Sequence, residues 1–137
     1  MEQDPNLSIE EKLSKVIEWW VRDLDNIVDE NIHLNAMKEI PIETRVYFWN
    51  GVDILMKVIN DFKIDYMVVS AGIGDIVKYS FEHLFKEIGL KPVDISLVSN
   101  FGIYDDNQRL CGFRWPLIHS FNKEDVLKNK YYKKFPN

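Results

Sequence analysis

The residues best suited to chemistry are Ser70 and the glycine-containing turn that follows it. An apolar run, Y-M-V-V at residues 66–69, leads into Ser70, and the turn at residues 71–74 leads into a helix-like pattern. Ligands of open α/β sheets bind at the carboxyl ends of the strands. A helix that begins near Gly74 would point free backbone N–H groups and the positive end of its dipole at the same place. The pattern therefore predicts an anion-binding site near Ser70.

Spacing alone does not identify a reaction at this turn. Gly72 and Gly74 begin a dinucleotide-binding pattern, but Val77 stands where its third glycine is required, and the Gly-Lys-Ser/Thr of a P-loop is absent. Ser70 has only half of the G-x-S-x-G surroundings of a hydrolase serine. With one cysteine and three scattered histidines, no metal-ligand spacing is present. Two interpretations stay open: Ser70 binds an anion, or it caps a turn.

The elements before this site are predicted to be helical. Ser8 and Glu11 have the spacing of a capping box, and apolar residues at helical spacing predict a helix from residue 8 to about residue 30. Pro41 is expected to interrupt the helical pattern. A second helix, from 42 to about 62, is then predicted, and its buried face is expected to contain Val46, Trp49, Val52, Leu55 and Ile59.

The elements that position Ser70 are predicted to form a βαβ unit. Apolar runs at residues 65–70 and 94–98 are typical of parallel strands covered on both faces. The helix between them is expected to begin near Gly74 and to end at Gly89. A small hairpin is predicted at residues 104–113. The first 60 residues are therefore helical and the rest is α/β.

Composition narrows the class of protein. The 137 residues carry a net charge of −5 and the pI is near 5.2, which argues against a nucleic-acid partner. We interpret the four lysines between residues 128 and 134 as a solvated surface. Cys111 stands alone, no apolar run approaches a membrane span, and the first residues do not look like a secretory signal. A cytoplasmic protein without a membrane partner is the expectation.

The amino-acid sequences of several segments resemble those of the eukaryotic cytosolic 5′-nucleotidase III family of the haloacid-dehalogenase-like superfamily. The most specific are V-S-A-G-I-G-D at residues 69–75 and L-I-H-S-F-N-K at residues 117–123. The segments V-S-N at 98–100 and E-W-W at 18–20 agree with them, and the resemblance runs from residue 1 to about 132.

The resemblance implies an α/β fold, namely a partial haloacid-dehalogenase-like Rossmannoid core with part of a helical cap. Residues 1–41 are expected to belong to the cap, and residues 42–137 to the core. It also implies an activity that depends on Mg²⁺, the hydrolysis of nucleoside 5′-monophosphates to nucleoside and phosphate. The substrates would be pyrimidine nucleotides or, in one branch, 7-methylguanosine monophosphate.

Site residues follow from the resemblance position by position. Ser70 and Ala71 are expected to hold the phosphoryl group by a hydroxyl and a backbone amide, and Lys123 to offset its negative charge. Glu2 is expected to contact the edge of the base, and Trp20 to stack on it. A tryptophan here resembles the 7-methylguanosine branch, because a positively charged base gains a cation–π attraction. Trp20 also lies on the apolar stripe of the first helix, so core packing explains it equally well.

The sequence departs from the family pattern in two ways. Asp23 stands where the family has a substrate-contacting serine, so that its charge is expected to weaken binding. The family's Asp-x-Asp nucleophile motif would precede Glu2, and its metal-binding Gly-Asp-Ser motif would follow Asn137. We therefore expect no catalytic or metal-binding residue in this chain and no hydrolysis by it alone. Without the first strand of the fold, residues 65–70 would expose an edge through which the chain could self-associate.

Three interpretations remain at this stage. We favour an internal fragment of a 5′-nucleotidase. The alternatives are a short non-catalytic α/β protein that binds a nucleotide or a partner, and an unrelated α/β domain. Only in the last would Ser70 and Lys123 lie far apart.

Overall fold

The structure, a computed structural model, describes residues 5–44, 47–91 and 95–134, the last five of these by their backbone alone. Five helices and four strands lie within these residues. In chain order they are α1 (Ile9–Asp29), α2 (Leu34–Glu43), α3 (Val52–Asp61), β1 (Val68–Ile73), α4 (Gly74–Glu87), β2 (Leu97–Asn100), β3 (Gly102–Tyr104), β4 (Leu110–Phe113) and α5 (Lys123–Lys134).

Helix α1 begins at the predicted capping box. The Ser8 hydroxyl oxygen accepts from the Glu11 N–H at 3.2 Å, and the Glu11 carboxylate accepts from the Ser8 N–H at 2.8 Å. These two bonds satisfy backbone donors that have no partner inside the helix. The helix then runs to Asp29, which confirms the prediction over residues 8–30.

Of the predicted second helix over residues 42–62, only the part from Val52 is confirmed, as α3, whose Val52 and Ile59 pack against the cluster around Met56; Val46 lies outside the described residues. Pro41 does not interrupt a helix but lies buried inside α2, and α3 begins only at Val52. Gly51 separates the two, with a φ of +94° that L side chains rarely adopt. Trp49 is 90% exposed and Leu55 is 53% exposed, so neither is on a buried face. Tertiary packing explains α2: Met37 is fully buried, and the helix packs along α4.

The predicted βαβ unit is present, with shifted boundaries. Strands β1 and β2 pair in parallel, with Val68 opposite Leu97 and Val69 opposite Val98. Both strands are half-buried along most of their length. β1 continues through Ile73, so the predicted turn at residues 71–74 is wrong up to that point, but the ladder loses its register between Val69 and Ile73.

Two glycines set the ends of α4. A Cβ atom on Gly74 would lie 2.9 Å from the Phe101 ring, so the close approach of β1 and the following helix to Phe101 requires glycine there. At the other end, Gly89 has a φ of +72° and follows the helix cap Ile88, as predicted.

The predicted hairpin is formed by β3 and β4, which pair antiparallel. The Asp105 carboxylate accepts from the backbone N–H groups of Asn107 and Arg109, each at 2.9 Å, and this closes the turn. Leu110 and Phe113 on β4 are buried.

Two hydrophobic clusters hold the elements together. The first joins α1, α2 and the hairpin through Leu24, Met37, Leu110, Phe113 and Leu117. The second lies between α3 and α4 and consists of Met56, Phe81, Leu84 and Phe85. Within the described ranges, no helix is long and apolar enough to cross a membrane.

Candidate functional site

Ser70 lies half-buried in β1, where the ladder to β2 loses its register. Its hydroxyl oxygen accepts from the Gly72 N–H at 3.1 Å, a local backbone bond of the kind expected of a turn cap, although it lies here within the irregular part of β1. A serine hydroxyl that accepts one bond still has its own proton to donate. The two interpretations of Ser70 are therefore compatible, because the same hydroxyl can bond the local backbone at Gly72 and donate to an anion.

The N-terminus of α4 is less open to an anion than the sequence predicts. Asp75 lies in the first helical turn, is buried, and accepts from the Gly102 N–H at 2.8 Å. Its carboxylate therefore supplies negative charge at the positive end of the helix dipole. Burial and then the charge of Asp75 raise the pKa of the nearby Tyr104 phenol. In this structure Asp75 is a link between α4 and β3.

The loop at residues 117–122 is held by its own side chains. The Asn122 amide oxygen accepts from the His119 N–H at 2.8 Å, and its amide nitrogen donates to the Leu117 carbonyl at 2.7 Å. The His119 Nδ1 atom accepts from the Phe121 N–H at 3.2 Å. Lys123 follows this loop as the first residue of α5, is half-buried, and begins a helix that contacts β1.

A cavity of about 220 Å³ lies between this loop, α1 and the end of β1. Its walls come from three segments far apart in sequence: Val16, Ile17, Trp19 and Trp20 from α1, Ala71 from β1, and His119, Ser120 and Phe121 from the loop. The surface is therefore mainly aromatic and aliphatic, with a backbone segment and an imidazole at one side. Sites for small molecules commonly have this composition.

The cavity brings together two of the five residues predicted for the site, Trp20 and Ala71. Ser70 and Lys123 do not line it, although each is within two residues of a lining residue. Glu2 lies outside the described residues. Asp23 is half-buried on α1 and is not part of the cavity wall.

Trp20 combines both roles considered for it. Its ring packs against the cluster around Leu24 and also lines the cavity. The indole N–H is buried, and no described residue accepts its hydrogen bond. The side chain is thus a core residue with one surface turned to the cavity.

The prediction from sequence missed other cavity residues, including Val16, Ile17 and His119. Val16 and Ile17 lie one turn before Trp20 on α1, so helical spacing from Trp20 would have pointed to them. His119 was considered only as a metal ligand, although it belongs to the same L-I-H-S-F-N-K segment as Lys123.

Mg²⁺ prefers several oxygen ligands in octahedral geometry. Among the described residues no group of three or more His, Cys, Asp or Glu side chains is placed to hold a metal ion. Asp75, five residues after Ser70, already accepts from the Gly102 N–H. These residues therefore do not fit a magnesium site of their own.

Comparison with known proteins agrees with the resemblance. The model of the family described as Pyrimidine 5′-nucleotidase (UMPH-1) matches residues 1–136. A 7-methylguanosine phosphate-specific 5′-nucleotidase A from Xenopus laevis is 33% identical over 133 residues, which cover 96% of this chain and 44% of the relative. A putative cytosolic 5′-nucleotidase 3 from Caenorhabditis elegans is 29% identical over 130 residues, which cover 95% of this chain and 34% of the relative. The chain spans less than half the length of these relatives.

The fold agrees as well. The crystal structure of cytosolic 5′-nucleotidase IIIB bound to cytidine matches with a TM-score of 0.69 and 26% sequence identity, over 96% of this chain and 43% of that chain. This match confirms the predicted α/β class. The interpretation of the chain as an unrelated α/β domain is therefore wrong. Since the family model covers nearly every residue and the fold is shared, the chain belongs to the pyrimidine 5′-nucleotidase family.

Proposed function

We propose that this chain forms the substrate-binding part of a 5′-nucleotidase that hydrolyses nucleoside 5′-monophosphates to nucleoside and phosphate. The observation that carries the proposal is the cavity in which Trp20, near the start of the chain, meets Ala71 and the loop before Lys123. The names of the relatives support it, since one acts on 7-methylguanosine phosphate and another is bound to cytidine.

The phosphate would lie beside the cavity, against β1 and the start of α5. The Ser70 hydroxyl has a proton to donate, and Ala71 lies where β1 and β2 are out of register. The Lys123 ammonium would add a positive charge. Phosphoryl transfer depends mainly on positioning and on stabilising spread-out negative charge, so these groups suit a phosphate monoester.

The base would occupy the cavity. A volume of about 220 Å³ is below the about 300–1,000 Å³ of typical ligand pockets, which suits one part of a nucleotide. Trp20 offers an aromatic surface, and a methylated, positively charged guanine would gain a cation–π attraction of about 0.5–2 kcal/mol there. We therefore expect 7-methylguanosine monophosphate to bind more tightly than GMP.

The remaining parts of the proposal rest on the family. Mg²⁺ is the cofactor that the resemblance implies, and we assign no residue of this chain to it. We retain residues 1–41 as part of the cap and 42–137 as the core. Glu2 remains a proposed contact to the base. The names of the worm relative and of the solved structure include the word cytosolic, and we propose the same compartment here.

The experiment is a calorimetric titration of the chain with CMP and with cytidine. Lys123→Ala should weaken CMP binding by about 1.5–3 kcal/mol, or about 10- to 150-fold, because a charge-assisted hydrogen bond is lost. Cytidine binding should be unchanged.

Lys128→Ala is the matched control, because Lys128 lies on the same helix, is exposed, and pairs with Glu124 at 2.6 Å. It should leave both affinities unchanged. Equal losses in the two variants, or a wild-type chain that binds neither compound, would contradict the proposal.

A further inference from the structure

Asn100, the last residue of β2, is the most extensively bonded buried polar side chain near the cavity. It is fully buried. Its amide nitrogen donates to the carbonyls of Ala71 at 2.9 Å and of Ile118 at 2.8 Å, and its amide oxygen accepts from the Ile118 N–H at 2.7 Å. Both donors of the amide are thus in use. The orientation of the amide follows from these partners, since a flipped amide would place its oxygen against two carbonyls.

These bonds join β1, to which the phosphate has been assigned, to the loop that leads to the start of α5. Ala71 is in β1 and lines the cavity, and Ile118 directly precedes His119 in the opposite wall. From Ile118 the chain continues through the loop closed by Asn122, with its bonds to His119 and Leu117, to reach Lys123. Asn100 is therefore a side chain that connects β1 at Ala71, next to Ser70, to the loop that leads to Lys123.

We propose that Asn100 is a positioning residue for the phosphate group, which it does not touch. It sets the separation between Ala71 and the loop that leads to Lys123, so that both reach one phosphate. This inference rests on the proposed function. It assigns mainly the phosphate-dependent part of the affinity to the Asn100 bonds, because the base would also be held by the α1 wall of the cavity around Trp20, to which Asn100 makes no hydrogen bond.

The predicted signature separates positioning from general support of the fold. The quantity of interest is the ratio of the dissociation constants for cytidine and for CMP, which measures what the phosphate adds. Loss of positioning lowers this ratio. Loss of overall stability would weaken the binding of both compounds equally, because the nucleoside and the phosphate bind to the same folded chain.

The test is calorimetric titration of the wild-type chain and Asn100→Ala with CMP and cytidine. Alanine removes the bonds without adding charge, so a change cannot arise from electrostatic repulsion. We expect the ratio to fall by about three- to tenfold, the effect of one or two hydrogen bonds, with cytidine affinity kept within about twofold. Asn107→Ala, in the exposed hairpin turn, is the matched control and should change neither constant.

A measurement on the wild-type chain covers the case in which Asn100→Ala fails to fold. The Ile118 amide bonds to Asn100, so CMP should slow its hydrogen exchange and cytidine should not. The Ile64 amide, bonded to the Ile59 carbonyl at 2.9 Å, is the reference and should respond to neither.

The outcomes separate this inference from the proposed function. The role of Asn100 would be overturned if Asn100→Ala lost CMP and cytidine affinity equally, or lost neither. It would also be overturned if CMP did not slow the hydrogen exchange of the Ile118 amide. A wild-type chain that binds neither compound would refute the proposed function itself, and the role of Asn100 with it.

Discussion

Asp75 provides a sharp test of the geometry beside the predicted phosphate site. Its carboxylate is buried, lies in the first turn of α4, and accepts from the Gly102 N–H at 2.8 Å. Gly102 begins β3 and is itself buried. Asp75→Ala would therefore leave the buried Gly102 N–H without this acceptor.

The magnitude follows from two contributions. An unpaired buried N–H costs about 1–3 kcal/mol, and loss of a carboxylate from a helix N-terminus costs about 0.3–1 kcal/mol. Asp75→Ala should therefore lower the free energy of unfolding by about 1.3–4 kcal/mol. Asp75→Asn keeps an acceptor oxygen and loses only the charge, so it should cost at least about 1 kcal/mol less than alanine.

The assay is urea denaturation followed by far-UV circular dichroism, at a concentration where sedimentation shows monomers. Asp25→Ala is the control, since Asp25 is exposed on α1 and surface changes stay within about 0.5 kcal/mol. If Asp75→Ala behaves like Asp25→Ala, the bond to Gly102 does not hold α4 to β3. If asparagine costs as much as alanine, charge and not the hydrogen bond is responsible.

Three further predictions concern the helix cap, the sheet edge and activity. Ser8→Ala should cost about 1 kcal/mol of stability by thermal or urea unfolding. Separately, the backbone N–H of Ser8 and then its hydroxyl lower the pKa of Glu11. The stabilisation that comes from the Glu11 carboxylate is therefore present above the usual value of 4.5 and is lost as the pH falls through the lowered pKa, and Glu11→Gln should remove this pH dependence. Among the described strands β1 pairs only with β2, so its other edge is open, and sedimentation velocity should show association that increases with concentration. Val69→Pro should shift the chain towards monomer. A wild-type chain that is monomeric at all concentrations would contradict this prediction. The 137-residue chain should release no phosphate from CMP with Mg²⁺, because its described residues hold no acidic metal cluster; Mg²⁺-dependent release above a mock-purified control would refute this.

The sequence by itself determined the elements whose causes are local. The capping box of Ser8 and Glu11 starts α1. Gly89, which has a positive φ, follows the C-terminal cap of α4. Asp105 closes the hairpin through backbone groups within four residues of itself. In each case the stabilising contact joins neighbours in sequence, so residue type and spacing are enough to predict it.

The family could also be identified from the sequence, because the amino-acid sequences of residues 69–75 and 117–123 are specific to it. Hydrophobic periodicity alone is ambiguous and does not identify a family. The same segments contained Ala71 and His119, which line the cavity. What spacing could not show is that these segments meet Trp20, about 50 and 100 residues away along the chain.

Only the tertiary structure decided the features that depend on distant partners. Helix α2 passes through Pro41 because Met37 is buried in the core and the helix packs on α4. β1 runs on through the expected turn, where side chains of β2 bind its carbonyls: Ser99 donates to Gly72 at 2.9 Å and Asn100 donates to Ala71. Local propensity amounts to a few tenths to about 1 kcal/mol for most residues and to about 3 kcal/mol for a proline inside a helix, and burial and hydrogen bonds to distant residues outweigh it here. The cavity, like these elements, exists only where the folded chain brings its walls together.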